Sequence, residues 1–147
     1  RPAFITLFMK CIIMLSFIVF VFLACKKEST STTTLNEIAD TSAVLKFKGN
    51  FINGPYGNTS GIAKILLQNN NYQLQLDSFI VDNGPDLKVY LSKEVQPISF
   101  VNLGPLKSTN GTQLYNIPTG VDFTQYKYAL VHCQQYNHLF GSAELKP

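Results

Sequence analysis

Arginine is almost absent from this sequence, and charge of either sign is scarce. Of the 147 residues only 14% are charged, and Arg1 is the single arginine. An ordinary soluble domain carries about 25% charged residues. Arginine is the side chain that grips phosphate or guanine through paired hydrogen bonds, and no basic stripe is interleaved with aromatic residues here. The composition therefore argues against a nucleic-acid partner, and it is typical neither of a disordered chain nor of a coiled coil.

The chain also lacks the short motifs that mark most enzyme active sites. It contains no glycine-rich phosphate loop, no serine elbow and no pair of histidines at metal-ligand spacing. Asp82 and Asp86 flank residues 83–85 and offer the oxygen ligands that calcium prefers. The same residues are typical of a tight turn in which Asp82 hydrogen-bonds its own backbone. We predict that turn, and no metal site.

The longest apolar run lies at the N-terminus and ends at a cysteine. Residues 11–24 are apolar except for Ser16. A signal-peptide core needs about 7–15 such residues and a membrane-spanning helix about 17–25, so the length favours a signal peptide over an uncleaved anchor. The boundary Phe22-Leu23-Ala24-Cys25 resembles the bacterial lipobox, which implies that Cys25 is lipidated. We expect residues 1–24 to be a lipoprotein signal peptide, and the protein to be exported and anchored through Cys25 to a membrane of the bacterial cell envelope.

Residues 25–43 differ in composition from the segments on either side. Residues 29–34 read STSTTT, a polar run with no apolar periodicity to bury. Such a composition is typical of a flexible linker. We predict that residues 25–43 hold a folded domain off the membrane surface.

Residues 44–147 show an apolar alternation of period two, interrupted by frequent turn formers. Roughly eight short segments recur at a spacing of about 8–12 residues, and no amphipathic helix of about ten residues lies between them. The clearest segments are residues 44–48, 61–67, 72–77, 87–92, 112–117, 126–133 and 139–145. This pattern predicts an all-β domain, an antiparallel β-sandwich with a single core.

Cysteine usage directs attention to Cys133. Cys11 leaves with the predicted signal and Cys25 is the predicted lipid site, so Cys133 has no disulfide partner within an exported domain. An unpaired cysteine in an oxidising compartment is either a reactive thiol or a small buried apolar residue. Composition and spacing leave both interpretations open.

The alternation around Cys133 restricts its neighbours. Ala129, Val131 and Cys133 share one face of their strand, and His132 lies on the other. If residues 134–137 form a hairpin loop, His138 faces Cys133, and the pair could ligate haem iron or act as thiolate and imidazolium. The apolar set that begins at Leu139 would instead turn His138 outward unless a bulge intervenes.

Several stretches together resemble the DM13 domain. They are GPDLKVYLS at 84–92, LGPLK at 103–107, NGTQLYNIP at 110–118, and VHC at 131–133 followed by FGSAEL at 140–145. GNF at 49–51 and GIA at 61–63 fit the opening strands of that family. The resemblance implies a β-sandwich module of cell surfaces and secreted proteins with a proposed role in electron transfer. That role rests on one cysteine, here Cys133, used as a bare thiol or to hold a prosthetic group such as haem, and members often carry an aromatic residue where this chain has His132.

Two hypotheses follow for the function. The first is a lipid-anchored electron-transfer module that uses Cys133 as a redox thiol, or Cys133 with His138 as cofactor ligands, and passes electrons to an unidentified redox partner. It would be an auxiliary module rather than a complete enzyme, and its cofactor is either haem or none. The alternative is a non-catalytic β-sandwich that binds a protein or glycan at the cell surface.

Overall fold

The computed structural model describes residues 30–147, in which every regular element is a β-strand. The predicted signal peptide (1–24) and Cys25 lie outside the described residues. No helix within the described range is long and apolar enough to cross a membrane. The strands are β1 (Leu35–Asn36), β2 (Val44–Asn53), β3 (Thr59–Gln68), β4 (Asn71–Val81), β5 (Leu87–Ser92), β6 (Phe100–Pro105), β7 (Asn110–Asn116), β8 (Tyr128–Cys133) and β9 (His138–Glu144). The all-β prediction is confirmed.

The described strands form one curled sheet rather than two separate ones. Its order is β1-β7-β4-β3-β2-β9-β8-β5-β6, and every neighbouring pair is antiparallel except β1 and β7. The predicted antiparallel sandwich therefore needs correction to a mixed sheet shaped like half a barrel. The physical reason is β2, whose first residues pair with β3 while Phe51 to Asn53 pair with β9, so hydrogen bonding continues from one half to the other.

Because the sheet curls, the inner faces of its two halves, on either side of β2, pack against each other in one core. Alternate residues supply it, as period two requires: Leu74 and Leu76 on β4 and Val89 on β5 are fully buried. Phe51 and Phe79 meet edge to face, with ring centroids 5.1 Å apart, where the two halves approach each other. Each large side chain buried in this way contributes about 1.5–3 kcal/mol to stability.

Residues 30–37, from the Ser/Thr-rich segment, lie along the β7 edge of the sheet, and we call them the strap. The Ser31 carbonyl oxygen accepts a 2.8 Å hydrogen bond from the Thr109 amide, and the Glu37 amide donates a 2.9 Å bond to the Thr112 carbonyl oxygen. Between these bonds β1 runs parallel to β7. Part of the predicted linker is therefore attached to the domain as an additional edge strand.

Polar side chains fix both ends of the strap. The Ser108 hydroxyl, fully buried, lies 3.1 Å from the Ser31 carbonyl oxygen. The Glu37 carboxylate accepts hydrogen bonds of 2.7 Å from the Lys107 ammonium and 2.8 Å from the Leu114 amide. Partial burial raises the pKa of Glu37, but these two donors outweigh burial and hold the pKa below its ordinary value. The carboxylate is thus favoured in its charged form while the strap is docked.

Gly111 supplies a test of strap docking. Its φ is +105°, and a Cβ atom built there would lie 2.0 Å from the Leu35 carbonyl oxygen. Gly104 has a similar φ of +119° with nothing within 4 Å of its Cβ position. Alanine costs about 1–3 kcal/mol of backbone strain at either position, but only Gly111→Ala must displace the strap. We expect Gly111→Ala to speed hydrogen exchange at the Glu37 amide by at least about tenfold.

The Gly104→Ala variant is the matched control in that measurement. Its Glu37 amide should exchange at the rate of the unmodified protein, because the strain is present without the clash. Equal acceleration in the two variants would contradict the docked strap.

Candidate functional site

Cys133 is the last residue of β8 and the only cysteine among the residues that the structure describes. Strand β8 lies between β9 and β5, so both of its edges are paired. Ala129, Val131 and Cys133 share one face, as the alternation predicts, and that face belongs to the main core. The Cys133 side chain is 1% exposed. Its thiol therefore faces the core, close to one end of the sheet.

A hairpin brings His138 opposite Cys133. Residues 134–137 connect β8 to β9, and Cys133 pairs with His138 across the turn. A shift in register along the same hairpin places Leu139 opposite His132. This register shift is a β-bulge. Without it, the apolar alternation that begins at Leu139 would turn His138 to the face opposite Cys133.

The imidazole of His138 is held mainly by aromatic contacts. Its ring stacks on Tyr56 at a centroid distance of 3.6 Å and an interplanar angle of 1°, and Tyr136 lies 5.9 Å away. No hydrogen bond between the Cys133 thiol and His138 is present in residues 30–147. The strand pairing thus brings the two backbones together, but no direct thiol–imidazole bond forms.

Three loops close this end of the sheet, and we call them the cysteine cap: residues 54–58, 82–86 and 134–137. The Asp82 amide donates a 3.0 Å hydrogen bond to the Asn58 carbonyl oxygen. The Gln134 amide donates a 2.9 Å bond to the Asp86 carbonyl oxygen. Each loop is therefore bonded to another, and the cap opens only if these bonds break.

The predicted turn at residues 82–86 is present, but Asp82 does not bond its own backbone. Its carboxylate accepts two 2.8 Å hydrogen bonds from Asn58, one from the amide and one from the side chain. The prediction was wrong because the loop at 54–58, which the sequence could not place, supplies better-positioned donors. Asp86 forms a 2.7 Å ion pair with Lys88. Within residues 30–147 no group of three or more His, Cys, Asp or Glu side chains is placed to hold a metal ion.

Glycine backbones pack closely over the side chains beside Cys133. Leu87 pairs with Cys133 from the β5 side. A Cβ atom on Gly84 would lie 2.8 Å from the Leu87 side chain and 3.0 Å from the Phe140 ring, and one on Gly57 would lie 2.5 Å from the same ring. The cap can pack against Leu87 and Phe140 only because these positions lack side chains.

His132, on the opposite face of β8, is buried without a partner. It is 3% exposed, and neither ring nitrogen has a hydrogen-bond partner among the described residues. Leu139 and Lys88 face it from the two neighbouring strands, and the Tyr90 ring lies 5.6 Å away. Burial lowers the pKa of His132. The imidazole is therefore favoured in its neutral form.

The described residues do not fit a haem held by Cys133 and His138. The Cys133 thiol is enclosed by core side chains, and one face of the His138 ring is covered by Tyr56. An open groove of about 770 Å³ on the outer face of β2 and β3 is lined by neither residue. The arrangement leaves Cys133 the chemistry of a thiol.

Sequence reasoning missed Tyr56 and the glycines of the cap as parts of this site. The only signal was the density of turn formers at residues 53–58. Those residue types predict a loop, but they carry no information about which distant side chain the loop covers.

The sequence model of the family described as electron transfer DM13 matches residues 50–145. This range contains every strand from β3 to β9, the three loops of the cap and Cys133. Comparison with curated proteins and with solved structures finds no match.

Burial of the thiol predicts slow chemical labelling. We expect Ellman's reagent to react with Cys133 in the native protein at least about 100-fold more slowly than in urea, because the cap must first open. Gly84→Ala should speed the native reaction, since its Cβ atom would push on Leu87 and Phe140. A native thiol that reacts as fast as the unfolded one would contradict the burial.

The neutral His132 predicts a loss of stability in mild acid. Because its pKa is lowered on folding, the unfolded state binds more protons as the pH falls below the ordinary histidine value of 6.5. The urea midpoint should therefore fall between pH 7.5 and pH 5. The urea midpoint of the His132→Leu variant should fall less over the same pH range. An identical pH dependence of the midpoint in the two proteins would refute this explanation.

Proposed function

Because the chain belongs to the DM13 family, a family described as acting in electron transfer, we propose that it is an electron-transfer module of the cell envelope whose redox group is the Cys133 thiol. The observation that carries the proposal is the position of Cys133: it is the last residue of β8, at the end of the sheet where residues 54–58, 82–86 and 134–137 are hydrogen-bonded to one another, rather than in the middle of the strand. Such a position can be uncovered by loop movement without unfolding the sheet.

A lone cysteine passes electrons by thiol–disulfide exchange with partners that carry pairs of thiols. The Cys133 thiolate attacks one sulfur of an acceptor disulfide; a mixed disulfide forms, and the other acceptor sulfur leaves as a thiolate that takes up a proton. A donor dithiol then attacks the Cys133 sulfur and releases the second acceptor thiol, and its remaining thiolate displaces Cys133. Two electrons have moved from donor to acceptor, and Cys133 is regenerated.

Reaction with a partner requires the cysteine cap to open. The bonds that hold the cap shut near Cys133 include those from Gln134 to Asp86 and from the Gly54 amide to the Phe140 carbonyl oxygen, at 2.7 Å. Each is worth about 0.5–1.5 kcal/mol net, so a partner that replaces them can expose the thiol. A closed cap also shields the thiol from further oxidation to sulfinic acid.

A second candidate, a non-catalytic binding module, is favoured by a separate surface. The open groove on the outer face of β2 and β3 includes Leu45 and Ile52, which are large apolar side chains left exposed, with Lys48 beside them. A module of this kind would use the groove and would not need the thiol.

Chemical trapping separates the two candidates. The exported protein is incubated with glutathione disulfide, and the mass of the product is measured before and after dithiothreitol. We expect a reversible glutathione adduct on Cys133, none in Cys133→Ala, and no visible absorption band that shifts on reduction. A Soret or flavin band would show that the redox group is a bound prosthetic group and not the thiol. Failure to form the adduct when the cap is loosened by Gly84→Ala would favour the binding module.

We further propose that Cys25 anchors the module to the membrane. A lipidated N-terminal cysteine would hold the protein in the membrane fraction, because its acyl chains partition into the bilayer. In protein extracted from the membrane, Cys25 should be the mature N-terminal residue and its mass should exceed that of the peptide chain by the acyl groups, whereas Cys25→Ala should carry no lipid. A membrane-bound protein that retains residues 1–24 and has no lipid on Cys25 would overturn lipid anchoring at this residue.

A further inference from the structure

We propose that the cysteine cap faces the membrane, with Tyr56 and Tyr136 at the lipid–water interface. The proposal rests on lipid anchoring at Cys25, as given above, and adds an orientation that anchoring alone does not supply. A flexible linker of the predicted length would leave the domain free to turn in any direction. The docked strap removes most of that freedom.

The strap begins beside the cysteine cap. The Thr30 hydroxyl donates a 3.4 Å hydrogen bond to the Gly84 carbonyl oxygen, within the cap loop at 82–86. The next residue, Ser31, is bonded to Thr109 immediately before β7. From there the strap runs parallel to β7 and away from the cap, since Leu35 pairs with Gly111. The chain therefore enters the domain at its cysteine end.

The covalent distance from the anchor to this entry point is short. Thr30 follows Cys25 by five residues, and five residues span at most about 18 Å even when fully extended. Strand β4 has 11 residues, which corresponds to a sheet length of about 36 Å. The anchor therefore reaches only about half the length of the domain, and the cap is held close to the lipid surface.

The surface of the cap suits an interface between lipid and water. Tyr56 and Tyr136 are 55% and 57% exposed, and the rings of both lie near that of His138. Tyrosine is enriched at membrane surfaces because its ring is apolar and its hydroxyl is polar. The charged residues of the cap are Asp82 and Asp86, which are already bonded to Asn58 and Lys88. Lys88 neutralises Asp86, and two hydrogen bonds satisfy the Asp82 carboxylate, so only the charge of Asp82 would have to approach the bilayer uncompensated.

The absence of tryptophan from the chain allows a direct test. Tyr56→Trp and Tyr136→Trp each place one fluorophore on the cap, and Thr119→Trp places one at the exposed opposite end of the sheet. Each full-length lipidated protein is inserted into phosphatidylcholine vesicles that contain a lipid with a nitroxide at the headgroup. Tryptophan quenching is then measured against vesicles without nitroxide.

We expect quenching in both cap variants to exceed that of Thr119→Trp by at least about fivefold, because nitroxide quenching falls off within a distance far shorter than the sheet length of about 36 Å. Equal quenching at the two ends, or stronger quenching at residue 119, would overturn the orientation. Repeating the measurement in a Cys133→Ala background should change nothing, so a failure of the thiol chemistry is distinguishable. Mass analysis that finds no lipid on Cys25 would overturn the orientation together with the anchor.

Discussion

Strand β2 changes its hydrogen-bonding partner partway along its length, and the arrangement of the described fold depends on that change. Up to Asn50 it pairs with β3, and from Phe51 it pairs with β9. Gly49 lies next to the point where the partner changes, and a Cβ atom at this position would come within 2.1 Å of the Glu144 carbonyl oxygen. Close backbone approach at this point lets the sheet curl without a break, which closes the core and brings β8 with Cys133 into it.

The curled sheet also explains why three distant loops meet. Because β2, β4 and β8 each end at the same edge of the sheet, the segments that follow them are forced together over Cys133. Their mutual hydrogen bonds make one layer at the end of the sheet where Cys133 lies, without a disulfide or a metal cluster among the described residues. Under the proposed function, access to Cys133 depends on this layer as well as on the thiol.

The strap connects this layer to the segment that precedes the domain. Gln113, fully buried, bonds Ser108 through both ends of its amide, with Nε2 donating to the Ser108 carbonyl at 2.6 Å and Oε1 accepting from the Ser108 amide at 3.1 Å. This rigid corner is the surface on which Ser31 docks. The position of Thr30 beside Gly84 follows from it. A buried polar pair thus determines the end of the sheet at which the chain enters the domain.

Much of the fold and part of the site could be predicted from sequence. Period-two alternation predicted the strands and placed Ala129, Val131 and Cys133 on one face, because side-chain direction in a strand is set locally. The pairing of Cys133 with His138 could be predicted only on the condition that residues 134–137 form a hairpin with a bulge, and the sequence left the burial of Cys133 open. The strap could not be predicted, since its backbone bonds use groups that every sequence possesses, and its side-chain bonds, such as those of Ser108 and Glu37, join residues far apart in the chain. The Tyr56–His138 stack joins loops far apart in the chain, and the single curled sheet follows from the switch in β2. Long-range contacts of this kind leave no local pattern.

The central claim is that Cys133 becomes reactive when the cap opens while the sheet stays folded. Native-state hydrogen exchange at the Gly54 and Gln134 amides, compared with thiol labelling of Cys133 in the same solution, measures it most directly. The account predicts one shared opening free energy for both amides and the thiol, below that of the Leu130 amide in the centre of β8. A thiol that reacts only at the free energy of global unfolding would contradict it.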